Sequence, residues 1–459
     1  MKKGKTLYFI LVAVLMMTAT QPAIVNAIEN VPLPLTQYQI EMINESVQTS
    51  MNAGNIPGVS LVIVSGGDAI YAQGFGYADT QNNIAVTEDT VFELASNSKA
   101  FTALAILQLE DEGVLNFDDP INKHIPWLEM KYNSEIATVT IEQVLNHTSG
   151  IPFSSINQIP ESESDSALYY TVQTLIGTEL QSAPGAFYSY ATINYNILGL
   201  IIELLANQSF EEYMIENILH PMGLYNTYMF MEDAGDKMAQ GYKINFLRAR
   251  VFDAPIYRGN TPAGYILSSG NDMAIWLMTQ LGYNAGSTLD QRLIERSHEF
   301  GRPLEHNHNL SYTAGWYVNR LTGEVSHGGN NPSFSSYVIL DTVNSVGIAV
   351  MANLNSAFVT EIAYNAMDII GGRNIAPSAV ADMNIEMDRL AVAIICIAAI
   401  IILLMVFFII RLTVQIVKGK RSFVAPNIKG VVGICVSMAF LVALGIIAYG
   451  LPQMFLGVT

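Results

Sequence analysis

The chain has 459 residues, 51% of them hydrophobic, and a formal net charge of −18 from 40 acidic and 22 basic side chains. An acidic surface repels phosphate backbones, which excludes nucleic acid and strongly anionic polymers as partners. With only two cysteines a disulfide-stapled scaffold is excluded as well, and a chain of this length buries a core without staples.

Lys2, Lys3 and Lys5 precede an apolar stretch, Leu7 to Met17, and then Val25-Asn26-Ala27. A basic segment, a short apolar core and a small residue at the end predict a secretory signal peptide over 1–27, cleaved after Ala27. The alternative is a retained anchor, for which the apolar core is short. The next segment, 28–371, is expected to be an exported domain. Its "TQYQIEMINESVQTSMNAG" reads as a helix, and "GVSLVIVSGGDAIYAQGFG" as two strands turning at Gly66-Gly67-Asp68. Helical patterns fill residues 100 to 300: "FTALAILQLEDEGVL", "TIEQVLNHT", "YNILGLIIELLANQ", "SFEEYMIENIL" and "GNDMAIWLMTQLG". Four more strand-like runs follow: "LSYTAGWYVN", "GEVSHGG", "SSYVILDT" and "SVGIAVMAN". Strands at both ends with helices between predict an α+β fold. An antiparallel sheet is built from both ends of the domain, with a large helical insertion and a cleft between the two.

The stretch 372–388 reads as a linker. Leu390 to Ile410 and Val431 to Leu451 are each 21 residues long and uncharged, which predicts two transmembrane helices, 389–411 and 430–451. Arg411 and the 412–429 loop, with Lys418, Lys420, Arg421 and Lys429, carry no acidic residue and mark the cytoplasmic side. The expected topology is a multi-pass cell-membrane protein with its exported domain on the extracytoplasmic side and a short outer tail, 452–459. Both cysteines, Cys396 and Cys435, fall in the expected spans. With the ends set aside, 28–388 holds 13 basic residues and all 40 acidic ones, a net charge of −27.

Three stretches of the exported domain carry candidate chemistry. "FELASNSKAFTAL" (92–104) places Lys99 one helical turn after Ser96, so the two share a face. In one reading Ser96 caps a helix and Lys99 is a solvated charge; in the other Ser96 is a nucleophile and Lys99 its proton acceptor. A helix N-terminus would stabilise an oxyanion formed by attack of Ser96 on a carbonyl. "PGAFYSYATINYNILGLIIE" (184–203) sets a Pro-Gly turn and a tyrosine-rich loop before a helix, and "SHGGNNPSFSSYVILD" (326–341) puts His327-Gly328-Gly329 at a strand end. His306 and His308 have no third ligand at recognisable spacing and read as a polar loop.

In this order and spacing the chain resembles the class C β-lactamase-like serine hydrolase family, which includes penicillin-binding carboxypeptidases, D-aminopeptidases and esterases. The resemblance runs from about Pro57 to Asn355 and includes "LEDEGVLNFDDPINKHIP", "VLNHTSGIP", "HPMGLYNTYMF" and "TPAGYILSSGNDMAIWL". It implies that Ser96 and Lys99 are the family's Ser-x-x-Lys pair. Its Tyr-x-Asn falls on Tyr190-Ala191-Thr192, with threonine in place of asparagine; Tyr188 is the alternative register. Its third motif, Lys-Thr-Gly or His-x-Gly, falls on His327-Gly328-Gly329. The implied chemistry is acyl transfer without metal or organic cofactor. Ser96 attacks, Lys99 or Tyr190 takes its proton, and the N–H groups of Ser96 and Asn330 hold the oxyanion. The implied partners are a small-molecule or peptide substrate and, through the two C-terminal spans, a lipid bilayer. Thr192 lacks an NH₂ donor and a neutral His327 attracts a carboxylate weakly. Both favour a peptidase or amidase on D-amino-acid peptides or a peptide-like prodrug; the alternatives are an esterase, a β-lactamase, or a penicillin-binding sensor without turnover.

Overall fold

The computed structural model describes residues 34–422 and parts of 428–445. Helix α1 (Gln37–Gly54) starts at a capping box: Gln39 N donates to Thr36 Oγ1 at 3.3 Å, and Thr36 N donates to Gln39 Oε1 at 3.0 Å. It ends where Asn55 turns left-handed, and it buries Ile43, Val47 and Met51. The expected hairpin follows as β1 (Gly58–Ser65) and β2 (Asp68–Asp79), with the two-residue β3 (Ile84–Ala85) at its edge. β4 (Val91–Glu93) leads into the tight turn at Ser96 and helix α2 (Ser98–Asp111). The inserted region carries α3 (Ile193–Ala206), β5 (Thr227–Tyr228), β6 (Leu267–Ser269) and α4 (Gly270–Gln280). β6 pairs with both β4 and β5 in a small separate sheet. The chain then returns through β7 (Pro303–Leu304), β8 (Asn307–Thr313), β9 (Trp316–Asn319), β10 (Glu324–Asn330), β11 (Ser335–Asp341) and β12 (Val346–Ala352). Two helices follow the sheet, α5 (Phe358–Ile370) and α6 (Met383–Val417).

The main sheet is antiparallel, in the order β7-β8-β9-β10-β11-β12-β1-β2-β3. β12 pairs with β1 from Val59↔Ala352 to Ser65↔Val346, so the two ends of the domain close one sheet, as expected from the sequence. Every residue of β1 and β12 is buried because both sheet faces are covered. Val59, Leu61 and Ile63 join α1 and α5, whereas Val62 and Val64 point into the helical region, where Phe101 stacks on Trp276.

Several expectations change. "LSYTAGWYVN" is two strands, because Ala314 and Gly315 both adopt positive φ and turn the chain. A side chain at Gly315 would fall 2.6 Å from the Ala100 backbone, so the turn lies against α2. Helix α5 was not anticipated, and it forms one wall of the sheet. The linker is not a free tether: α6 starts inside it, and Asp382 is buried as its N-cap, accepting from Ser356 Oγ at 2.7 Å and Ala357 N at 3.0 Å. Among the described residues one helix, α6, is long and apolar enough to cross a membrane, not two. It extends past both ends of the expected 389–411 span and takes the first residues of the expected 412–429 loop. The described residues between 431 and 445 are helical, and the rest of the expected 430–451 span lies outside the described residues, as do the signal peptide and the 452–459 tail.

Candidate active site

The turn before α2 presents Ser96. Ala95 is held at φ +47, a costly conformation for a residue with a side chain, between Leu94 and a short 3₁₀ turn. Neighbouring elements lock it: Leu94 N donates to Ile266 O at 2.8 Å, and Asn97 Nδ2 donates to Ser336 Oγ at 2.8 Å. Ser98 faces away from Ser96 and accepts from Ile266 N at 3.1 Å.

Lys99 is fully buried, which removes the solvated-charge reading. Its Nζ lies 3.0 Å from Ser96 Oγ and 2.7 Å from the carbonyl of Ala263, on the short helix Thr261–Gly264. Desolvation holds the amine well below the usual lysine range, because no carboxylate joins it to repay the lost hydration. Tyr190, just ahead of α3, brings its hydroxyl to 2.9 Å from the same Ser96 Oγ. Burial pushes this phenol up, while hydrogen bonds with Ser96 and Thr192 act the other way. Tyr188 makes no such contact; its hydroxyl meets that of Tyr317 at 2.7 Å. The geometry therefore brings Tyr190, not Tyr188, to Ser96. Thr192 is nearly buried at the start of α3, beside Tyr190.

The end of β10 forms the opposite wall. A side chain at Gly329 would fall 2.5 Å from Leu94 O and 3.0 Å from Ala95 Cβ, so only glycine lets this strand lie against the Ser96 turn. Asn331 N donates to Phe334 O at 2.9 Å, and Asn330 pairs with Ser335. Alternation along an antiparallel ladder then turns the Asn330 N–H away from β11, toward the edge that β9 leaves open beyond Ser326. The Asn330 side chain is exposed, and Gly328 packs against Tyr337 on the opposite sheet face. His327 is buried; its Nδ1 sits 2.6 Å from Gly328 O and its Nε2 3.2 Å from Tyr312 OH. A carbonyl only accepts, so Nδ1 carries the proton and Nε2 accepts from the tyrosine. Desolvation, with Lys99 adding to it, lowers this imidazole to about 3, so it is uncharged at neutral pH.

Sequence reasoning assigned no role to several groups around this centre. His147 packs on Tyr190 with ring centroids 4.3 Å apart and the planes tilted by 41°, and its Nδ1 accepts from Asn194 Nδ2 at 2.8 Å. It lies in "VLNHTSGIP", quoted above only as a supporting segment. Ala263 acts through its backbone, which leaves no side-chain signal. Glu93, three residues before Ser96, is buried and accepts from Asn331 Nδ2 at 2.5 Å; burial pushes its carboxyl up to about 7. A cavity of about 190 Å³ lies nearby, lined in part by Thr261 and Tyr265 at the Lys99-binding turn. No His/Cys/Asp/Glu cluster able to hold a metal occurs among the described residues.

A serine whose oxygen touches both a neutral amine and a phenol, beside a strand edge with a free N–H, is arranged for nucleophilic acyl transfer. The Beta-lactamase family model matches residues 43–369, which span the sheet, the insertion and all of these side chains. The chain belongs to the beta-lactamase family of serine hydrolases. Protein flp of Staphylococcus aureus (strain COL) is 30% identical over 435 residues, covering 92% of this chain and 84% of that protein. Unguisins hydrolase ungD' of Aspergillus campestris is 26% identical over 349 residues, 70% of this chain and 63% of that one. Among solved structures, the octameric penicillin-binding protein homologue from Pyrococcus abyssi superposes with a TM-score of 0.65 at 27% identity, over 73% of this chain and 78% of that one. A class C beta-lactamase superposes with a TM-score of 0.62 at 20% identity, over 72% and 96%, and shares the fold.

Proposed function

We propose that this protein is a membrane-anchored extracytoplasmic serine hydrolase that works through a Ser96 acyl-enzyme on neutral, peptide-like amides, D-amino-acid peptides or a peptide-like prodrug among them. The observation that carries the chemistry is the double contact at Ser96 Oγ, with Lys99 Nζ at 3.0 Å and Tyr190 OH at 2.9 Å. Burial disfavours charge on both partners, so the resting pair is neutral and Lys99 offers a free lone pair. As Ser96 attacks the carbonyl, its proton passes to Lys99, and Tyr190 relays it to the leaving nitrogen. The N–H groups of Ser96 and Asn330 take the developing oxyanion. Water, deprotonated along the same path, then releases the acyl group and restores the Ser96 hydroxyl.

The substrate class rests on charge. The 28–388 segment carries −27, and the uncharged His327 gives an anionic drug carboxylate no cation at this strand. A relative named as a hydrolase of unguisins fits a hydrolytic role. Membrane attachment rests on α6, whose 35 residues rise about 52 Å and exceed the ~30 Å of a bilayer core. The experiment is turnover by the full chain in detergent of three probes: a D-amino-acid amide, a nitrophenyl ester and a chromogenic β-lactam. Preference for the amide, with all turnover and fluorophosphonate labelling lost in Ser96→Ala, is the expected result. Equal labelling of Ser96→Ala overturns the nucleophile; β-lactam preference overturns the substrate class; a persistent β-lactam adduct without turnover of any probe identifies a sensor instead.

A further inference from the structure

The hairpin Tyr242–Asn245/Arg248–Val251 runs out of the domain beside the first turns of α6. The two elements leave the body together: Tyr242 N donates to Asn353 O at 2.9 Å, while Asp382 is fixed on Ser356. They are joined again further out, where Phe246 N and Leu247 N donate to the two oxygens of Asp388 at 3.1 and 2.6 Å. Asp388 lies two residues before Leu390, where the 21-residue uncharged run begins. The hairpin tip therefore stands level with the point at which α6 becomes purely apolar.

The composition of the tip is unusual in three ways. Phe246 and Leu247 are exposed, at 58% and 44% of their surface, although they are large and apolar. They also hold φ +51 and +62, the turn positions where Asn-Gly is favoured and a bulky side chain is strained. The backbone N–H groups of this turn are held by Asp388, but neither exposed side chain packs into a core cluster of the domain. Finally, Arg248 and Arg250 follow on the same hairpin and are exposed, in a segment whose net charge is −27. Arg258, Arg292, Arg296 and Arg373 are held by carboxylates; among the described residues Arg248 and Arg250 have no such partner.

We propose that the Phe246-Leu247 tip is a second membrane contact, inserted at the headgroup–acyl boundary beside α6, with Arg248 and Arg250 meeting anionic headgroups. Aromatic and aliphatic side chains are favoured at that depth, and nearby arginines add electrostatic attraction to an anionic surface. With α6 this makes two points of attachment, joined by Asp388, so the Ser96 cleft is held at a set height and tilt above the bilayer. The domain cannot swivel freely on its helix, and the substrates it meets are those presented near the membrane surface.

This rests on the membrane reading of α6 above, and the test separates the two. The full chain is reconstituted into neutral vesicles of phosphatidylcholine and into anionic vesicles of phosphatidylcholine with phosphatidylglycerol, both containing brominated phosphatidylcholine. Single tryptophans are added at Phe246, at Leu403 in mid-α6 and at Tyr225, an exposed residue of the helical region; the native Trp127, Trp276 and Trp316 give the background. The expected result is loss of emission for both Leu403→Trp and Phe246→Trp but not for Tyr225→Trp. In anionic vesicles only, the Phe246→Trp loss shrinks when Arg248 and Arg250 are both changed to Gln. Quenching at Leu403→Trp with none at Phe246→Trp overturns the second contact and leaves the anchor standing. Quenching at neither overturns both. An equal Phe246→Trp loss with and without the arginines overturns the electrostatic part.

Discussion

Tyr190→Phe removes one oxygen from the centre of the site. The ring stays where it is, because it packs against His147 at 4.3 Å, Tyr312 at 6.1 Å and the Lys99 Nζ, 5.0 Å from its centroid. The hydroxyl itself contacts Ser96 Oγ at 2.9 Å, so the fold loses about one hydrogen bond, ~1 kcal/mol. The reaction loses the group that carries a proton between Ser96 and the leaving nitrogen. Lys99 remains 3.0 Å from Ser96 and still takes the first proton, so the deficit falls on protonating the leaving group and on activating water. A lost acid–base group costs on the order of 100-fold in kcat, about 3 kcal/mol of barrier. Amide turnover should suffer more than turnover of a nitrophenyl ester, whose leaving group departs without a proton. The assay is pre-steady-state acylation and steady-state kcat on both probes, with a thermal melt to confirm that the fold is kept. Tyr188→Phe is the control: its hydroxyl meets Tyr317, not Ser96, and kcat should stay within a few-fold. If Tyr190→Phe is mild and Tyr188→Phe crippling, or if amide and ester suffer equally, the proton path through Tyr190 is refuted.

Glu93→Gln tests the buried carboxyl behind Asn331. Its folded value is raised from 4.5 to about 7 by burial, so wild-type stability is full below the lower value and is lost as pH rises through the upper one. Glu93→Gln should match wild type at about pH 4 and exceed it at about pH 8 by up to ~3 kcal/mol in denaturant unfolding; no pH dependence in that difference refutes the account. Gly329→Ala places a methyl 2.5 Å from both Leu94 O and Ser336 Oγ. It should lower stability by about 1–3 kcal/mol and slow acylation by parting β10 from the Ser96 turn, and an unchanged melt and rate would show that the strand has room.

Local patterns settled what has a local cause. The helix period of α1, the Gly66-Gly67 turn and the strand runs at both ends follow from side chains acting on their own backbone, and they sufficed for a sheet closed by the two termini. Ser96 and Lys99 could be paired because one helical turn is a short-range geometry. The structure alone decided everything that depends on which distant segments meet. Tyr188 and Tyr190 differ by two residues in a loop without a period. The resemblance placed the motif on Tyr190 with Tyr188 as the alternative register, and the tertiary packing brings the Tyr190 hydroxyl to Ser96 and the Tyr188 hydroxyl to Tyr317. Ala263 binds Lys99 through a carbonyl that every residue type possesses, so no pattern marks it. The 372–388 stretch has the Pro, Ala and Ser content of a tether, yet Asp382 and Asp388 dock it, because a carboxylate finds its N–H partners only when the fold brings them. The uncharged run at 390–410 was legible from composition, since apolarity is additive along a chain. That a hairpin some 140 residues earlier stands beside its first turn was decided by tertiary contact alone.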